Sequence, residues 1–256
     1  VQPYADDEHA ALYDLFYSDY DDDLALYDNF ARRGETASLE IGVGTGRVAL
    51  HLAQQELDVC GLDSSPAMLR RLAAKLAERG LSKRVRAVEG DVRSFELAEH
   101  FDLIFCAANT FQHLTTTDDQ VAALGSCAKH LTPGGVFVAK LDSPSNVDWS
   151  EDVAGLRLSG ARVDPASGET VMRFTARQAH ASTMTTDVTQ LYDRIGRDGT
   201  VRRHAIEYSL KYMTPDELAL LLQRAGLRLL QMYGDHELSP FDAASDSMIF
   251  VAGLEG

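Results

Sequence analysis

A chain of 256 residues is long enough to bury a substantial core without disulfide or metal staples, as one large domain or as one domain with a sizeable insertion. Hydrophobic residues at 45% and charged residues at 25% are an ordinary globular balance. A formal charge of −15, with no basic stripe to displace counterions, argues against a nucleic-acid partner, and no apolar run is long enough to span a bilayer.

Residues 8–33, "EHAALYDLFYSDYDDDLALYDNFARR", read as helical segments broken near residues 18–23. "SLEIG" reads as a strand, "GRVALHLAQQ" as a helix and "LDVCGLD" as a second strand. "SPAMLRRLAAKLAERG" is a helix with Ser64 or Ser65 as N-cap, Pro66 in its first turn and Gly80 past its end. "VRAVEGD" and "FDLIFCAA" are strands three and four. "TDDQVAALGSCAKHL" is a helix closed by "TPGG", and "GVFVAKLD" is strand five. Strands alternating with helices predict a doubly wound, mostly parallel α/β sheet. From about residue 150 to 212 the pattern changes to strand-like runs separated by the turn signals "DPASGE" and "GRDG". This predicts an antiparallel β insertion. "TPDELALLLQRAG" follows as a helix with Thr214 as N-cap and Glu217 at N3, and "LRLLQMYGD" and "SMIFVAG" are the last strands. The expected division is a helical cap at 1–37, an α/β domain at 38–149 and 213–256, and an inserted β lid with the substrate region at 150–212.

The acidic opening "VQPYADDEHAALYD" lacks the basic start and apolar stretch of a signal peptide. Cys60, Cys106 and Cys127 form no CxxC pair, and Cys60 and Cys106 lie in apolar strand-like runs. A reducing cytoplasm is the expected setting. Neither a membrane nor a nucleic-acid partner is expected; the expected partner is a small molecule, and homo-oligomerisation is left open.

Gly42-Val43-Gly44-Thr45-Gly46 places three glycines between a strand and a helix, where backbone N–H groups can approach a ligand closely. The dinucleotide fingerprint carries its third glycine three residues after the second; here it comes one residue early. Glu40, just ahead of the turn, suits a cation better than a pyrophosphate. Asp63 ends the second strand, where a carboxylate can hold both ribose hydroxyls, as it also does in dinucleotide enzymes. Asp91, ending the third strand in "VEGDV", adds a third acid on the same rim, able to accept from an exocyclic amine. Together these acids and the glycine spacing point to an adenosyl ligand with a positive end, rather than to a turn without a ligand.

"LEIGVGTGR", "VCGLDSSPAML", "VEGDVRSF", "FDLIFCAANTFQHL" and "LTPGGVFVAKLD", over residues 38–142, resemble the class I S-adenosylmethionine-dependent methyltransferases, and "SMIFVAG" fits their last antiparallel strand. The resemblance implies a seven-stranded Rossmann-like sheet and S-adenosylmethionine as cofactor. It implies that Gly42, Gly44 and Gly46 cradle the methionine portion and that Glu40 faces its ammonium. Asp63 would hold the ribose, Ser64 and Met68 would flank the adenosine, and Asp91 with Val92 would hold the adenine. The Ala107 backbone would complete the methionine pocket, Tyr17 would close over the cofactor, and Arg47 would pair with its carboxylate. The layout is also similar to small-molecule enzymes such as the amino-sugar N-methyltransferases and glycine N-methyltransferase.

Methyl transfer is an in-line displacement that needs alignment, exclusion of water and sometimes a base. His113, past the fourth strand, is the expected base, since an imidazole titrates near neutral pH. His236 is second, with Asp235 and Asp142 nearby. Asn109, Tyr192 and Arg203 are the expected acceptor contacts. No His, Cys, Asp or Glu set has metal-ligand spacing, so no metal is expected. The expected reaction is transfer to a small-molecule nitrogen or oxygen, with carbon as the alternative acceptor. An NAD(P)-dependent oxidoreductase is disfavoured by the glycine spacing and by the lack of a Tyr followed four residues later by Lys. A non-catalytic cofactor-binding protein is disfavoured by the intact acid set.

Overall fold

The computed structural model describes residues 6–150 and 154–256. Two helices come first, α1 (Asp7–Tyr17) and α2 (Leu24–Ala31). Strands and helices then alternate through β1 (Ser38–Ile41), α3 (Arg47–Gln54), β2 (Val59–Asp63), α4 (Pro66–Arg79), β3 (Val85–Glu89), β4 (Phe101–Cys106), α5 (Thr117–His130) and β5 (Leu131–Asp142). Four long strands follow: β6 (Ala154–Val163), β7 (Thr170–His180), β8 (Thr185–Ile195) and β9 (Val201–Lys211). The chain ends with α6 (Pro215–Arg224), β10 (Leu227–Tyr233) and β11 (Ser247–Leu254).

Seven strands form one sheet in the order β10-β11-β5-β4-β1-β2-β3. β11 is antiparallel to both of its neighbours, and the other pairs are parallel. Period-2 burial decides what each face packs against. Leu39 and Ile41, Ile104 and Cys106, and Phe137, Ala139 and Leu141 face one way, onto Leu124 and Cys127 of α5 and Leu218 and Leu222 of α6. Leu103, Phe105, Val138, Ile249 and Val251 face the other way, onto α2, α3 and α4 through Tyr27, Leu52, Leu72 and Leu76. Strand order reverses between β1 and β4, which opens a crevice at the carboxyl ends of those strands. Among the described residues, no helix is long and apolar enough to cross a membrane.

The helix signals act as their chemistry dictates. Ser65, rather than Ser64, caps α4 by accepting the Met68 N–H. Thr214 and Glu217 form a reciprocal capping box at the start of α6. Two boundaries differ from expectation. "TPGG" is absorbed into β5, because Leu131 is already extended and pairs with Phe101. Gly135 is required there, since a Cβ would come within 2.7 Å of the Phe101 carbonyl oxygen. β3 stops at Glu89, so Asp91 stands on the loop beyond the strand.

β6 to β9 form a separate antiparallel sheet in chain order. Cross-strand partners share a face, so Arg177 and Val188 stand with Tyr208, and Gln190 with Ile206. This face receives α1: Leu12 and Phe16 pack against Val171, Tyr192 and Ile206.

Phe250 is fully buried against Phe137, their ring centroids 5.6 Å apart. Phe250→Ala is expected to cost about 3–5 kcal/mol, measured as a lower denaturant midpoint with an unchanged slope.

Candidate active site

The glycine turn is built by backbone geometry. Gly42, Gly44 and Gly46 have φ of +69°, +55° and +86°, a region costly for residues with a Cβ. Each glycine answers a different need. A Cβ at Gly42 would come within 2.3 Å of Thr110 Cγ2, and one at Gly46 within 2.3 Å of Leu72 Cδ1. Nothing lies closer than 4.0 Å to a Cβ at Gly44, so that position is open. Asp63 holds the turn from the next strand: Oδ2 accepts the Gly44 N–H and Oδ1 the Ser65 N–H, both at 2.8 Å. Burial raises the Asp63 carboxyl pKa, while the Ser65, Gly44 and Ser64 amides pull it down.

A cavity of about 590 Å³ lies above this turn, within the size range of small-molecule sites. Of the expected residues, Tyr17, Gly42, Gly44, Asp63, Ser64, Met68, Asp91, Val92, Asn109 and His113 line it. The Arg93 guanidinium lowers the Asp91 carboxyl pKa and also reaches Asp119. Tyr17 accepts a hydrogen bond from Arg173 Nη1 of β7 at 2.7 Å, tying the α1 wall to the second sheet. Asn109 donates to Asp142 Oδ2 at 2.7 Å and accepts from Lys140 Nζ, and Lys140 also pairs with Asp142.

Other expected residues stand elsewhere. Glu40 is fully buried behind the turn, on the face of the sheet that carries α3. Its Oε2 has no hydrogen-bond partner among the described residues. Burial pushes its carboxyl well above the ordinary range, against the pull of Arg47 and the Ala49 amide. Arg47 is committed to Asp23 through two hydrogen bonds of 2.5 and 2.6 Å and lies over the Tyr20 ring, so a pairing with a ligand carboxylate would have to displace these. Gly46 and Ala107 are packed behind the cavity wall, and Ala108 lines it instead. Tyr192 is buried under Phe16 and donates to Gln190 Oε1. Arg203 is on the outer face of the second sheet, bound to Asp193 at 2.7 and 2.8 Å. His236 lies in the turn after β10, outside the cavity wall. These positions give Arg203 and His236 no access to a reacting atom in the cavity.

Residues that sequence reasoning missed complete the wall: Thr110 and Phe111 after β4, and Arg177, Gln190, Tyr208 and Leu210 from the second sheet, with Tyr13 of α1 lining it beside Tyr17. Cys106 also lines it, its thiol pushed up to about 12 by burial. His113 lies 5.1 Å from the Tyr208 ring, and burial lowers its imidazole to about 4.

The cavity's donors and acceptors fit S-adenosylmethionine. The open cradle at Gly44 admits close backbone approach, and Glu40, behind the turn, keeps a buried carboxyl oxygen with no partner among the described residues. Asp63 and Asp91 present carboxylates for hydroxyl and amine donors.

The comparisons agree with this geometry. Residues 39–135 match the family model described as a methyltransferase domain. The dTDP-3-amino-3,4,6-trideoxy-alpha-D-glucopyranose N,N-dimethyltransferase of Streptomyces venezuelae is 33% identical over 52% of this chain, and the match spans 56% of that relative's length. The tRNA1(Val) (adenine(37)-N6)-methyltransferase of Tolumonas auensis is 30% identical over 59% of this chain and 72% of its own. The solved CcbJ methyltransferase from Streptomyces caelestis superposes with a TM-score of 0.77 at 26% identity, covering 94% of this chain and 95% of its own. The chain belongs to the S-adenosylmethionine-dependent methyltransferase family, with S-adenosylmethionine as its cofactor.

Two outcomes test the site. Asp63→Ala removes a carboxylate from the ligand and from the Gly44 amide together, and is expected to weaken S-adenosylmethionine binding about 10–100-fold in calorimetry. His113 gains its proton only near pH 4 when folded, whereas an unfolded histidine gains it near 6.5. Between those values the unfolded chain binds more protons, so stability is expected to fall as pH drops through that window. His113→Gln should flatten that part of the profile, read from denaturant midpoints at several pH values.

Proposed function

We propose that this chain transfers the methyl group of S-adenosylmethionine to the nitrogen of a small amino acceptor, of the amino-sugar type. The observation that carries the reading is the shared cavity, in which the glycine turn and its acids form one wall and Arg177, Gln190 and Tyr208 form another. The Streptomyces and Tolumonas relatives both act, by their names, on nitrogen. A roofed cavity of this size suits a small acceptor better than a macromolecule.

Bound S-adenosylmethionine supplies an electrophilic methyl group on a sulfonium. The chain's own work is to present a nitrogen lone pair and to exclude water. An ammonium must lose its proton before it can attack. Phe111, Leu114 and Leu210 give the cavity apolar surface, and such surroundings lower an amine's proton affinity. His113, held neutral by burial, accepts a hydrogen bond from the acceptor N–H and aims the lone pair. With its pKa near 4 it is a weak base, so orientation is its larger contribution.

Arg177 reaches only Tyr212 Oη, at 3.4 Å, among the described residues. A guanidinium lining the cavity without a carboxylate favours an acceptor that carries an anionic group, as a nucleotide-linked sugar does.

The test is an acceptor panel of amines, hydroxyl compounds and carbon acids, with and without a linked phosphate. Methylation confined to hydroxyl or carbon acceptors would refute the reading. His113→Ala is expected to lower kcat about 10–100-fold with unchanged cofactor affinity. The acid limb of its pH–rate profile should stay in place, because that limb belongs to the acceptor amine. Loss of the limb would make His113 the titrating base.

A further inference from the structure

α1 meets the second sheet at a cluster outside the active-site cavity. Asp6, His9 and His204 each bring one ligand atom into a group whose members all lie within 4.8 Å of one another. Asp6 Oδ2 is 3.7 Å from His9 Nδ1 and 3.9 Å from His204 Nε2. The two imidazole rings stand edge to face, with centroids 4.3 Å apart. Asp6 caps α1 with its other oxygen, which accepts the His9 N–H at 2.8 Å, so the cap fixes the carboxylate and leaves Oδ2 facing the two rings.

The imidazoles carry an unmet demand. Both ring nitrogens of His9 and Nε2 of His204 are buried and, among the described residues, make no hydrogen bond of ordinary geometry. Buried polar atoms left this way are costly, and two histidines this close gain nothing from each other as ions. We propose that Asp6, His9 and His204 form a binding site for a divalent transition cation such as Zn²⁺, clasping α1 to β9.

Two imidazoles and a carboxylate are a donor set suited to zinc, cobalt or nickel rather than to calcium or magnesium. Tetrahedral zinc with ligands near 2.0–2.1 Å separates them by about 3.3 Å. The observed spacings therefore close onto an ion by small rotations of side chains. The Ala205 carbonyl faces the His9 ring, in the place where a backbone oxygen commonly orients a ligating imidazole. Glu8 and Arg194, beside the cluster, are already paired with each other at 2.7 Å, and Arg194 also holds Asp164. Among the described residues Asp6 faces the two imidazoles rather than a lysine or arginine.

The consequence is mechanical. Tyr13 and Tyr17 lie one and two turns beyond His9 on α1, and Tyr208 and Leu210 lie on the same face of β9 as His204; all four line the active-site cavity. An ion at the cluster fixes the spacing of two cavity walls without touching substrate. The proposal does not depend on the nature of the methyl acceptor.

The experiment titrates untagged, chelator-treated full-length protein with Co²⁺, read by visible d–d absorption, and with Zn²⁺, read by calorimetry and thermal melting. One ion per chain is expected, with Tm raised by about 5–10 °C at a hundredfold excess over Kd. His204→Ala, at a partly exposed position, should weaken binding at least about tenfold; Asp6→Asn should weaken it too, and His236→Ala should leave it unchanged. Absence of saturable one-to-one binding by the wild type, or wild-type affinity in His204→Ala, overturns the site.

Discussion

The hydrogen bond from the Gly44 amide to Asp63 is the constraint on which the cavity depends. It joins a turn of left-handed glycines to the end of the neighbouring strand, and the same carboxylate takes the Ser65 amide at the start of α4. Once the turn is fixed, Gly46 lets Leu72 of α4 pack directly against the backbone. Thr45 is then turned the other way, toward Asp14 of α1, which accepts its hydroxyl at 2.5 Å and also takes Lys75 and Arg71. Through that buried carboxylate the turn docks α1, and through Leu12 and Phe16 α1 docks the second sheet. The wall opposite the cofactor turn is therefore positioned by the turn itself, through two successive interfaces.

The α/β architecture was legible because its information is local. Continuous apolar runs on β4 and β11, caps at Ser65 and Thr214, and a glycine turn followed by strand-end acids each state their structure within a few residues. Even Asp91, though it stands past its strand, was placed on the correct rim. Less of the site could be read, because period-2 patterning sorts a strand into two faces without saying which face is covered or by what. Arg203 and Tyr208 are five residues apart on β9, and so on opposite faces. Arg203 was the expected acceptor contact, yet Tyr208 is the one in the cavity wall. Tyr192 was on the correct face but under α1, a contact between residues far apart in sequence. Arg47 was judged by its position after the turn, while its partner Asp23 comes from a helix-capping position in another element. Asp6 and His9 are likewise separated from His204 by nearly the whole chain, which hid their proximity.

The net charge of the chain sharpens the meaning of the arginines on the second sheet. A protein at −15 has acids to spare, and most of the sheet's guanidiniums find them or an equivalent. Arg194 is held by Glu8 and Asp164, Arg202 by Glu169 and Arg203 by Asp193. Arg173 lacks an acid but is spent on Tyr17 and on Ser159, stacking over the Phe16 and Tyr17 rings. Arg177 is the departure: it lines the cavity and reaches a phenol at the edge of hydrogen-bond range. Its side chain is exposed, so water solvates the guanidinium and can exchange for a ligand oxygen at little cost. An anionic group that enters the cavity would meet this guanidinium on its wall. The cavity thus carries carboxylates, Asp63 and Asp91, on one wall and a guanidinium on another, and the proposed acceptor, an amine linked to an anionic group, matches that division.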